Sequence, residues 1–551
     1  MGLRYVVTES SRVAKTGMQR FSRPVFDYHF KIAPCSFSCP IGQDIPVAIF
    51  LVSIGRFDLA KKALMVHNPF PSITGRVCSH PCMDSCNRGG YDSPISIPDI
   101  ERLIGDIGSG WDPMPGAPTG KSVGIIGSGP AGLSCAYFLL LYGHRVRIYE
   151  AEGGLGGALR SSIPSYRLPE HILSSGIGML ERMGADFEVG VRVGRDIGFQ
   201  ELRGMHDAVF IAIGLGAPRF PKFLLDEPRI LDNVVFGIDF LKDVKAGRRM
   251  VLKKALVIGG GDVAIDSARS AVRLGARDVK VISPERVEEM PAHPDCIREA
   301  LEEGVRIYGG MVPIGVREGG GGIEVGMAKV RSIRRDGTGE VVIEPEVGAT
   351  TWEWTEMLVL AVGQRMEGDF LPEEIVDGGK IAIGAWGETA IHGVFAGGDC
   401  AGGGNVAMAI ASGRRGAIGI DRFLKGLPPL REQKPRVVEM ESINLDYFRK
   451  AEPVRARTIP FDERIRSFSE IKGSLSPEDA VEEAKRCFSC GMCTMCGNCY
   501  IFCPDSAILP KAGGWGFEVD LDHCKGCGVC VEECPHGAIS MVLERGYRDG
   551  G

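Results

Sequence analysis

Ten of the eighteen cysteines in this 551-residue chain lie between Cys487 and Cys534, and eight of them form two runs with the same spacing. Each run is C-x2-C-x2-C-x3-C followed by proline, the first beginning at Cys493 and the second at Cys524. Disulfide frameworks belong to small secreted domains, whereas clustered cysteines in a long chain favour metal binding. The repeated spacing is typical of a pair of 4Fe-4S clusters.

In this two-cluster spacing the fourth cysteine of each run binds the cluster of the other run. The spacing therefore assigns one cluster to Cys493, Cys496, Cys499 and Cys534, and the other to Cys524, Cys527, Cys530 and Cys503. A zinc site is the alternative for cysteines of this kind. We expect residues 481–551 to form an α+β ferredoxin domain of the bacterial type.

A second group of five cysteines lies near the start of the chain, at Cys35, Cys39, Cys78, Cys82 and Cys86. A site built of cysteines suits iron–sulfur ligation better than it suits an open catalytic zinc. Five thiols do not divide into sets of four, so the spacing allows one cluster or two. We predict that residues 1–118 form a helical iron–sulfur domain.

The stretch Lys121–Glu150 has the pattern of an apolar strand, a glycine turn, a helix and a second strand. Its turn is Gly127-Ser128-Gly129-Pro130-Ala131-Gly132. Such glycines let the backbone approach a pyrophosphate at the helix N-terminus, and Glu150 can accept hydrogen bonds from ribose hydroxyls. The glycine string alone often marks only a tight turn, but in this context it indicates an adenine dinucleotide site.

The same pattern recurs at Lys254–Asp266, with alanine at the third glycine position, which the fold tolerates. The candidate residues of this second turn are Gly259, Gly261, Asp262 and Ala264. Two such turns favour two Rossmann-like domains over two accidental turns. Apolar strands reaching Gly363 and Asp399 follow, so the simplest arrangement is a first dinucleotide domain interrupted by a second.

These patterns predict an α/β multidomain protein with the two dinucleotide-binding domains nested. We predict a helical iron–sulfur domain at 1–118, the first dinucleotide domain at 119–250 and 355–425, the second at 251–354, a linker at 426–480 and the ferredoxin domain at 481–551. The linker prediction depends on the proline-rich and charged composition of that segment.

Composition excludes several classes of function. The net charge of −6 gives no basic footprint, so we expect no nucleic-acid partner. No apolar run approaches the length of a membrane span, and the N-terminal residues lack the order of a signal peptide. We therefore expect no membrane insertion and a reducing, cytoplasmic location.

Several longer motifs accompany the two turns: CPIGQDIP, NPFPSITGRVC, GGLGGALRSSIPSYRLP, EMPAH and VFAGGDC. With IGSGPAGLSCA and VIGGGDVAID they make residues 30–425 resemble the small (beta) subunit family of bacterial glutamate synthase. That family also includes the N-terminal half of dihydropyrimidine dehydrogenase and the large subunit of electron-bifurcating ferredoxin:NADP oxidoreductases. The C-terminal ferredoxin resembles extensions found on some members.

The resemblance implies that the first turn binds FAD and the second binds a nicotinamide dinucleotide. It places FAD against Gly127, Gly129, Pro130, Ala131, Gly132, Glu150, Gly157, Arg160, Gly398 and Asp399, and NAD(P)H against Gly259, Gly261, Asp262, Ala264, Glu285 and Gly363. The helix after Asn405 would direct its N-terminus at the flavin. No side chain is expected to act as a general acid or base.

Two departures from the family pattern are informative. Members that use NADPH usually carry an Arg-Arg pair where this chain has Ser283-Pro284-Glu285. An acid repels the 2′-phosphate of NADP and accepts from the free diol of NAD, so we expect NADH to be preferred. Arg286, one position further, leaves NADPH as the alternative.

The second departure concerns the N-terminal clusters. The family pattern assigns one cluster to Cys39, Cys78, Cys82 and Glu101, and another to Cys35, Cys86 and a preceding C-x2-C pair that this chain lacks. Cys487-x2-Cys490, left over from the ferredoxin runs, stands in a similar phrase. Our hypothesis is that Cys487 and Cys490 fold back to complete that cluster; the alternative is that this pair is free or structural.

These expectations define the functional hypotheses. The first is an electron-transfer subunit that passes electrons between NAD(P)H and a separate redox partner subunit through FAD and iron–sulfur clusters, within a hetero-oligomer. A glutamate synthase small subunit is one form of it. The alternatives are a stand-alone or bifurcating NAD(P)H:ferredoxin oxidoreductase, and an assembly subunit whose ferredoxin domain connects a larger complex.

Overall fold

The computed structural model describes residues 22–26, 31–107, 112–221, 233–248, 252–335, 341–346, 348, 350–430 and 435–543. These ranges contain the α/β multidomain fold that the sequence predicts: two parallel sheets, a helical region before them and a small cysteine-rich region after them. Across the same ranges, no helix combines the length and the apolar character needed to span a bilayer.

The N-terminal iron–sulfur region is built of short helices around a small apolar core. Its helices are α1 (Pro34–Ser38), α2 (Ile45–Ser53), α3 (Phe57–Met65), α4 (Pro71–Val77), α5 (Pro81–Asp84) and α6 (Ile97–Asp106). Five of these six helices carry proline at their first or second position, where the missing N–H costs no hydrogen bond. Cys35 and Cys82 lie within helices α1 and α5, and Cys39, Cys78 and Cys86 lie just after helices.

The first dinucleotide domain has a five-stranded parallel sheet. Its strands are β3 (Ser122–Ile126), β4 (Arg145–Glu150), β5 (Asp186–Val189), β6 (Ala208–Ile211) and β20 (Val394–Ala396), in the order β20-β6-β3-β4-β5. Its helices are α7 (Pro130–Leu141), α8 (Ala158–Ser161), α9 (Glu170–Arg182), α10 (Phe199–Met205) and α14 (Val406–Leu424). Helices α7 and α14 cross so closely that a Cβ on Gly413 would lie 2.1 Å from the carbonyl oxygen of Ala131.

The second dinucleotide domain has its own parallel sheet. Its strands are β8 (Val234–Phe236), β9 (Lys254–Ile258), β10 (Asp278–Ile282), β11 (Arg306–Tyr308) and β16 (Met357–Leu360), in the order β11-β10-β9-β16-β8. Its helices are α11 (Gly237–Lys245), α12 (Asp262–Arg273) and α13 (Pro294–Glu302). An antiparallel sheet of β12 (Met311–Gly319), β13 (Gly322–Arg335), β14 (Val341–Pro345) and β15 (Thr351–Thr355) covers one face.

The strand pairing differs from the predicted domain boundaries. Strands β8 and β16, assigned by those boundaries to the first domain, pair with each other and with the second sheet. The chain crosses between the domains at β7 (Ala217–Pro218) and β17 (Gln364–Arg365), which pair antiparallel. Residues between these two short strands therefore belong to the insertion, and the predicted boundary at 250/251 lies outside the described residues.

After the first domain, the small strand pairs are β18 (Val376–Asp377) with β19 (Lys380–Ile381), and β21 (Arg436–Val437) with β2 (Lys31–Ile32). Residues 457–475, here called the strap, lie in the predicted linker but contact three domains. The strap includes helix α15 (Phe461–Arg464). Its Ile471 N–H donates to Tyr166 of the first domain at 3.1 Å, and Arg464 pairs with Glu302 of the second at 2.8 Å.

The strap also reaches the N-terminal region through one carboxylate. Glu470 accepts from Arg76 at 2.6 Å and lies 3.0 Å from Arg102, and both arginine side chains are at most 5% exposed. Arg76 also pairs with Asp106 at 2.7 Å, whereas Arg102 has Glu470 as its nearest carboxylate. A buried guanidinium that loses its carboxylate keeps the full cost of its desolvation. The strap is therefore a packed part of the predicted linker.

The C-terminal region begins with α16 (Pro477–Lys485), where Ser476 caps the helix by accepting from the Asp479 N–H at 3.0 Å. The ferredoxin elements that follow are α17 (Asn498–Ile501), α18 (Val529–Glu532), β22 (Ile508–Pro510), β23 (Phe517–Val519) and β24 (Ile539–Leu543). Strand β1 (Ser22–Phe26) pairs antiparallel with β24. The helical N-terminal domain that we predicted thus contributes a strand to the ferredoxin domain.

The Glu470→Ala substitution tests the strap. Because it leaves Arg76 and Arg102 without this carboxylate, we expect the free energy of unfolding to fall by about 2–4 kcal/mol in urea titrations. Glu482→Ala is the matched control, since Glu482 is 64% exposed in its pair with Lys485 and should change stability by less than about 0.5 kcal/mol. Equal effects of the two substitutions would contradict a structural role for the strap.

Candidate functional site

The first glycine turn has the geometry of a phosphate cradle. Gly127 has a φ of +99°, and a Cβ on Gly132 would lie 2.0 Å from its carbonyl oxygen, so both positions require glycine. A Cβ on Gly129 would meet nothing within 4 Å, so this residue borders open space at the N-terminus of α7. Pro130 and Ala131 begin the helix. The free N–H groups of this end can bind an anion.

Glu150 ends strand β4 beside this turn and is 6% exposed. Its carboxylate accepts from the Ser128 N–H at 3.0 Å, from the Ser128 hydroxyl and from the Glu152 N–H at 2.8 Å. The Ser128 hydroxyl also accepts from the Gly156 N–H at 3.0 Å. Sequence reasoning missed Ser128; the only signal was a small polar residue between the first two glycines.

The loop that contains Gly157 closes over the glycine turn. Gly157 has a φ of +52°, and a Cβ there would lie 2.9 Å from Cα of Gly129. Arg160 donates to the carbonyl of Leu155 and pairs with Glu170, so its guanidinium stabilises the loop itself. The structure thus brings Gly157 to the predicted site and keeps Arg160 on its rim.

Asp399 lies at the carboxyl edge of the same sheet, between β20 and α14. A Cβ on Gly398 (φ +78°) would lie 3.0 Å from Cβ of Ala131, which brings this edge against α7. Within the described ranges, the buried Oδ1 of Asp399 has no hydrogen-bond partner. Burial raises the pKa of this carboxyl group. An orphaned acceptor beside a phosphate cradle fits the hydroxyl-bearing chain of FAD.

The second glycine turn repeats the geometry of the first. Gly259 has a φ of +139°, and a Cβ there would lie 2.3 Å from the Ala361 carbonyl oxygen, whereas Gly261 borders open space. Ala264 is fully buried in the position of the third glycine. Asp262 accepts from the His293 N–H at 3.1 Å, and Gly363 follows β16 with a φ of +98°. This turn fits a second pyrophosphate.

Glu285 lies against the second turn. Its Oε2 accepts from the Ser283 hydroxyl at 2.6 Å and would lie 2.7 Å from a Cβ on Gly260. The carboxylate therefore occupies the edge of the turn where the ribose of a bound dinucleotide follows the pyrophosphate.

The eight ferredoxin cysteines surround two cavities. One is lined by Cys503, Cys524, Cys527 and Cys530, and the other by Cys493, Cys496, Cys499 and Cys534. These are the two sets that the spacing predicts, and the fourth cysteine of each run crosses to the other cavity. The donor sets fit 4Fe-4S clusters.

In the N-terminal region, Cys39, Cys78 and Cys82 surround the carboxylate of Glu101. Burial, followed by the negative charge of Glu101, raises the pKa of the Cys78 thiol to about 12, and the same two causes raise that of Cys82. Three donors bind Oε1 of Glu101: Gln43 at 3.1 Å, Asn68 at 2.9 Å and Thr74 at 2.6 Å. Among the described residues none donates to Oε2, which is the oxygen available to a metal.

A further set brings the two ends of the chain together. Burial raises the pKa of the Cys35 thiol well above its usual value, and the neighbouring charges of Cys487, Cys86 and Cys490 raise it further. The Asn87 amide donates to Sγ of Cys490 at 3.5 Å. Cys35, Cys86, Cys487 and Cys490 are therefore neighbours, although the last two lie some 400 residues from the others.

In the part of the chain that the structure describes, no three or more His, Cys, Asp and Glu side chains are placed so that they could hold a metal ion. A 4Fe-4S cluster is bound by four cysteine thiolates, and each ferredoxin set supplies four.

One contact joins the nicotinamide domain to an N-terminal cysteine loop. The imidazole Nε2 of His293 lies 3.1 Å from the carbonyl oxygen of Ser79, and its ring packs edge-on against His80 at 5.9 Å. His293 is the last residue of the EMPAH motif. The loop between Cys78 and Cys82 therefore contacts the second dinucleotide domain directly.

Comparison with known proteins agrees with this architecture. The model of the pyridine nucleotide-disulphide oxidoreductase family matches residues 121–416, that of dihydropyrimidine dehydrogenase domain II, 4Fe-4S cluster, matches 28–110, and that of the 4Fe-4S binding domain matches 517–540. These matches confirm the fold class and the presence of FAD, NAD(P) and 4Fe-4S binding regions.

Three relatives span most of the chain. The beta subunit of NADP(+)-dependent formate dehydrogenase from Moorella thermoacetica is 32% identical over 85% of this chain and 72% of its own length. The beta subunit of NADPH-Fe(3+) oxidoreductase from Geobacter sulfurreducens is 32% identical over 83% and 75%. The NAD-dependent dihydropyrimidine dehydrogenase subunit PreT of Escherichia coli is 31% identical over 72% and 92%.

The family model covers more than half of the residues, and its range contains both glycine turns and the open acceptor of Asp399. The chain therefore belongs to the pyridine nucleotide-disulphide oxidoreductase family and joins that NAD(P)H-dependent oxidoreductase module to iron–sulfur domains at both of its ends.

Proposed function

We propose that this chain is the electron-transfer subunit of a larger oxidoreductase. It passes electrons between NAD(P)H and a redox partner subunit through FAD and four 4Fe-4S clusters. The observation that carries the proposal is the convergence of Cys487 and Cys490 on Cys35 and Cys86, because it links the two iron–sulfur regions. Relatives whose names describe beta subunits support a partner subunit.

The role of the protein in this chemistry is to position its cofactors. Bound flavin exchanges hydrides with NAD(P)H and single electrons with iron–sulfur clusters. The residues around the first turn hold the dinucleotide: Gly129 admits the pyrophosphate, Glu150 meets the ribose, and Asp399 binds the hydroxyl-bearing chain. The N-terminus of α14, capped by Asn405 at the Met408 N–H, directs its dipole toward the flavin.

One imidazole joins the set of Cys35, Cys86, Cys487 and Cys490 to the ferredoxin set that begins at Cys493. His536 donates from Nδ1 to the Phe488 carbonyl at 2.6 Å, and its Nε2 lies 2.8 Å from the Thr494 hydroxyl. Phe488 lies between Cys487 and Cys490, and Thr494 follows Cys493, so the ring spans both loops. The cluster of Cys35, Cys86, Cys487 and Cys490 is therefore next to that of Cys493.

The ferredoxin cluster of Cys503, Cys524, Cys527 and Cys530 is then the last cluster of the series, next to that of Cys493. Its cysteine Cys527 is exposed, as is Cys496 of the neighbouring ferredoxin set, and Lys525 lines its cavity. We infer that electrons are exchanged with the partner subunit here. Exposure of the same cysteine favours a second candidate function, direct reduction of free ferredoxin, which rapid turnover with ferredoxin in the absence of any partner would demonstrate.

We propose NADH as the preferred nicotinamide substrate because the Glu285 carboxylate lies at the ribose edge of the second turn. A 2′-phosphate there would face a negative charge, whereas the free diol of NADH can donate to it. The names of the relatives include NADP-dependent and NAD-dependent proteins, so they do not decide between the two.

Iron analysis tests the four-cluster series. We expect about sixteen iron atoms per chain in anaerobically prepared protein. The double substitution Cys487→Ser and Cys490→Ser should remove about four of them, because it deletes two ligands of one cluster. Cys296→Ser is the control, since Cys296 is a buried cysteine outside all four sets. A wild-type content near eight or twelve would contradict the proposal.

The coenzyme preference is tested by comparing kcat/KM for NADH and NADPH with an artificial dye as acceptor. We expect NADH to be favoured at least tenfold. Glu285→Gln should reduce that ratio mainly by raising kcat/KM for NADPH, because it removes the charge that repels the 2′-phosphate and keeps the size of the side chain. A wild-type preference for NADPH would show that another residue, such as Arg286, binds the 2′-phosphate of the ribose.

Two glycine substitutions test the FAD site. Gly129→Val should leave the fold intact, because its side chain enters open space, but should abolish the flavin absorbance near 450 nm by blocking the pyrophosphate. Gly132→Ala should instead lower the folding stability, since its Cβ would overlap the Gly127 carbonyl oxygen. Circular dichroism separates the two results, and full flavin content in Gly129→Val would place the cofactor elsewhere.

A further inference from the structure

Arg414 connects the flavin domain to a cysteine loop of the N-terminal region. It lies on α14, and its Nη1 donates to the carbonyl oxygen of Ile41 at 3.1 Å. Ile41 is buried, and it follows the proposed cluster ligand Cys39 by two residues. The guanidinium also packs over the ring of Phe138 on α7 at 5.7 Å. The Arg414 side chain thus connects helix α14 of the flavin domain to the loop that follows Cys39.

The positive charge of Arg414 is not neutralised by an acid. Its hydrogen bond goes to a neutral carbonyl, and no ion pair of Arg414 occurs within the described ranges. Arg414 is partly buried, and this burial lowers its pKa, while the charge of Tyr142 opposes the shift. Burial and the charge of Arg414 together lower the pKa of nearby His67 to about 4. The surrounding protein therefore offers this cation no anionic partner.

A guanidinium that is largely removed from water normally pairs with an anion, because desolvation of an isolated charge is costly. The Ile41 carbonyl that Arg414 binds lies two residues after Cys39, and the proposed cluster of Cys39, Cys78, Cys82 and Glu101 would supply negative charge to this region. A four-iron core bound by three thiolates and one carboxylate has a net charge of about −2, and its reduction adds one more.

We propose that Arg414 is a positioning residue that raises the reduction potential of the cluster held by Cys39, Cys78, Cys82 and Glu101. The inference rests on the proposed function, because it requires that cluster. A fixed positive charge favours the reduced, more negative form of a cluster, and net charge is one of the factors that set such potentials. The residue would thereby favour electron flow from flavin toward the N-terminal region.

Arg415 provides a matched control. It is the next residue on the same helix, carries the same charge and is exposed to solvent. Its field is screened by water and salt, whereas that of Arg414 acts through protein. The substitutions Arg414→Gln and Arg415→Gln therefore make the same change in net charge in two different surroundings.

The test is a redox titration of the full-length anaerobic protein followed by electron paramagnetic resonance. The cluster signal is assigned as the one that disappears in Cys39→Ser. In Arg414→Gln we expect its potential to fall below that of wild type by more than the error between replicate titrations. Arg414→Lys should keep most of the wild-type potential, and Arg415→Gln should leave it unchanged. Iron content is measured for each variant.

Two results would overturn the inference. One is an unchanged potential in Arg414→Gln with full iron content. The other is a loss of iron in both Arg414→Gln and Arg414→Lys, which would indicate a structural role for the hydrogen bond to Ile41. Failure of the proposed function has a different signature: wild-type protein would then show no signal that depends on Cys39.

Discussion

The buried guanidinium of Arg88 holds the two ends of this chain together. It is 2% exposed and donates to the carbonyl of Arg486 at 2.7 Å and to that of Arg449 at 2.5 Å, while it pairs with Asp92. Its plane lies over the ring of Phe488, 4.8 Å from the centroid. These contacts fix the segment on both sides of Cys487, so the position of the C-terminal cysteine pair depends on an N-terminal arginine.

A second layer of polar contacts supports the same junction. Glu483 on α16 is fully buried and accepts from the N–H groups of Ser96 at 2.8 Å and Val454 at 2.7 Å, and it pairs with Arg486. Buried carboxylates are stable only when their hydrogen bonds are satisfied. The helix that leads into the ferredoxin cysteines is therefore bound to the backbone of the N-terminal region through the Glu483 side chain as well as through its apolar face.

Local patterns allowed most of the site to be predicted from sequence. A glycine turn or a C-x2-C run encodes its geometry within a few residues, so the two phosphate cradles and the crossed ferredoxin sets agree with expectation. The resemblance to the family pattern also allowed the convergence of Cys487 with Cys35 to be predicted, because that pattern includes a C-x2-C pair that this chain lacks near its start, and Cys487-x2-Cys490 stands in a similar phrase. The roles assigned to these residues remain predictions.

Features that depend on tertiary pairing were not predictable in this way. Strands β8 and β16 are apolar runs that fit either parallel sheet, and only the pairing of β16 with β9, and of β8 with β16, decides between the two. The strap has the polar, proline-rich composition of a linker, yet single side chains such as Arg464 and Glu470 bind it to its neighbours. Strand β1 pairs with β24 across almost the entire sequence.

The cations around the cysteine sets donate to backbone carbonyls. Arg414 donates to the Ile41 carbonyl, Lys31 to the carbonyls of Gly537 and Ile539 at 2.6 and 3.2 Å, and Arg88 to two further carbonyls while it also pairs with Asp92. A carbonyl oxygen positions a cation and satisfies its hydrogen bonds without cancelling its net charge, whereas a carboxylate cancels it. Thiolate-bound clusters at the proposed sites would concentrate negative charge in a chain whose net charge is already −6. Arg414, whose hydrogen bond goes to a carbonyl, can offset that charge from a position that the backbone fixes.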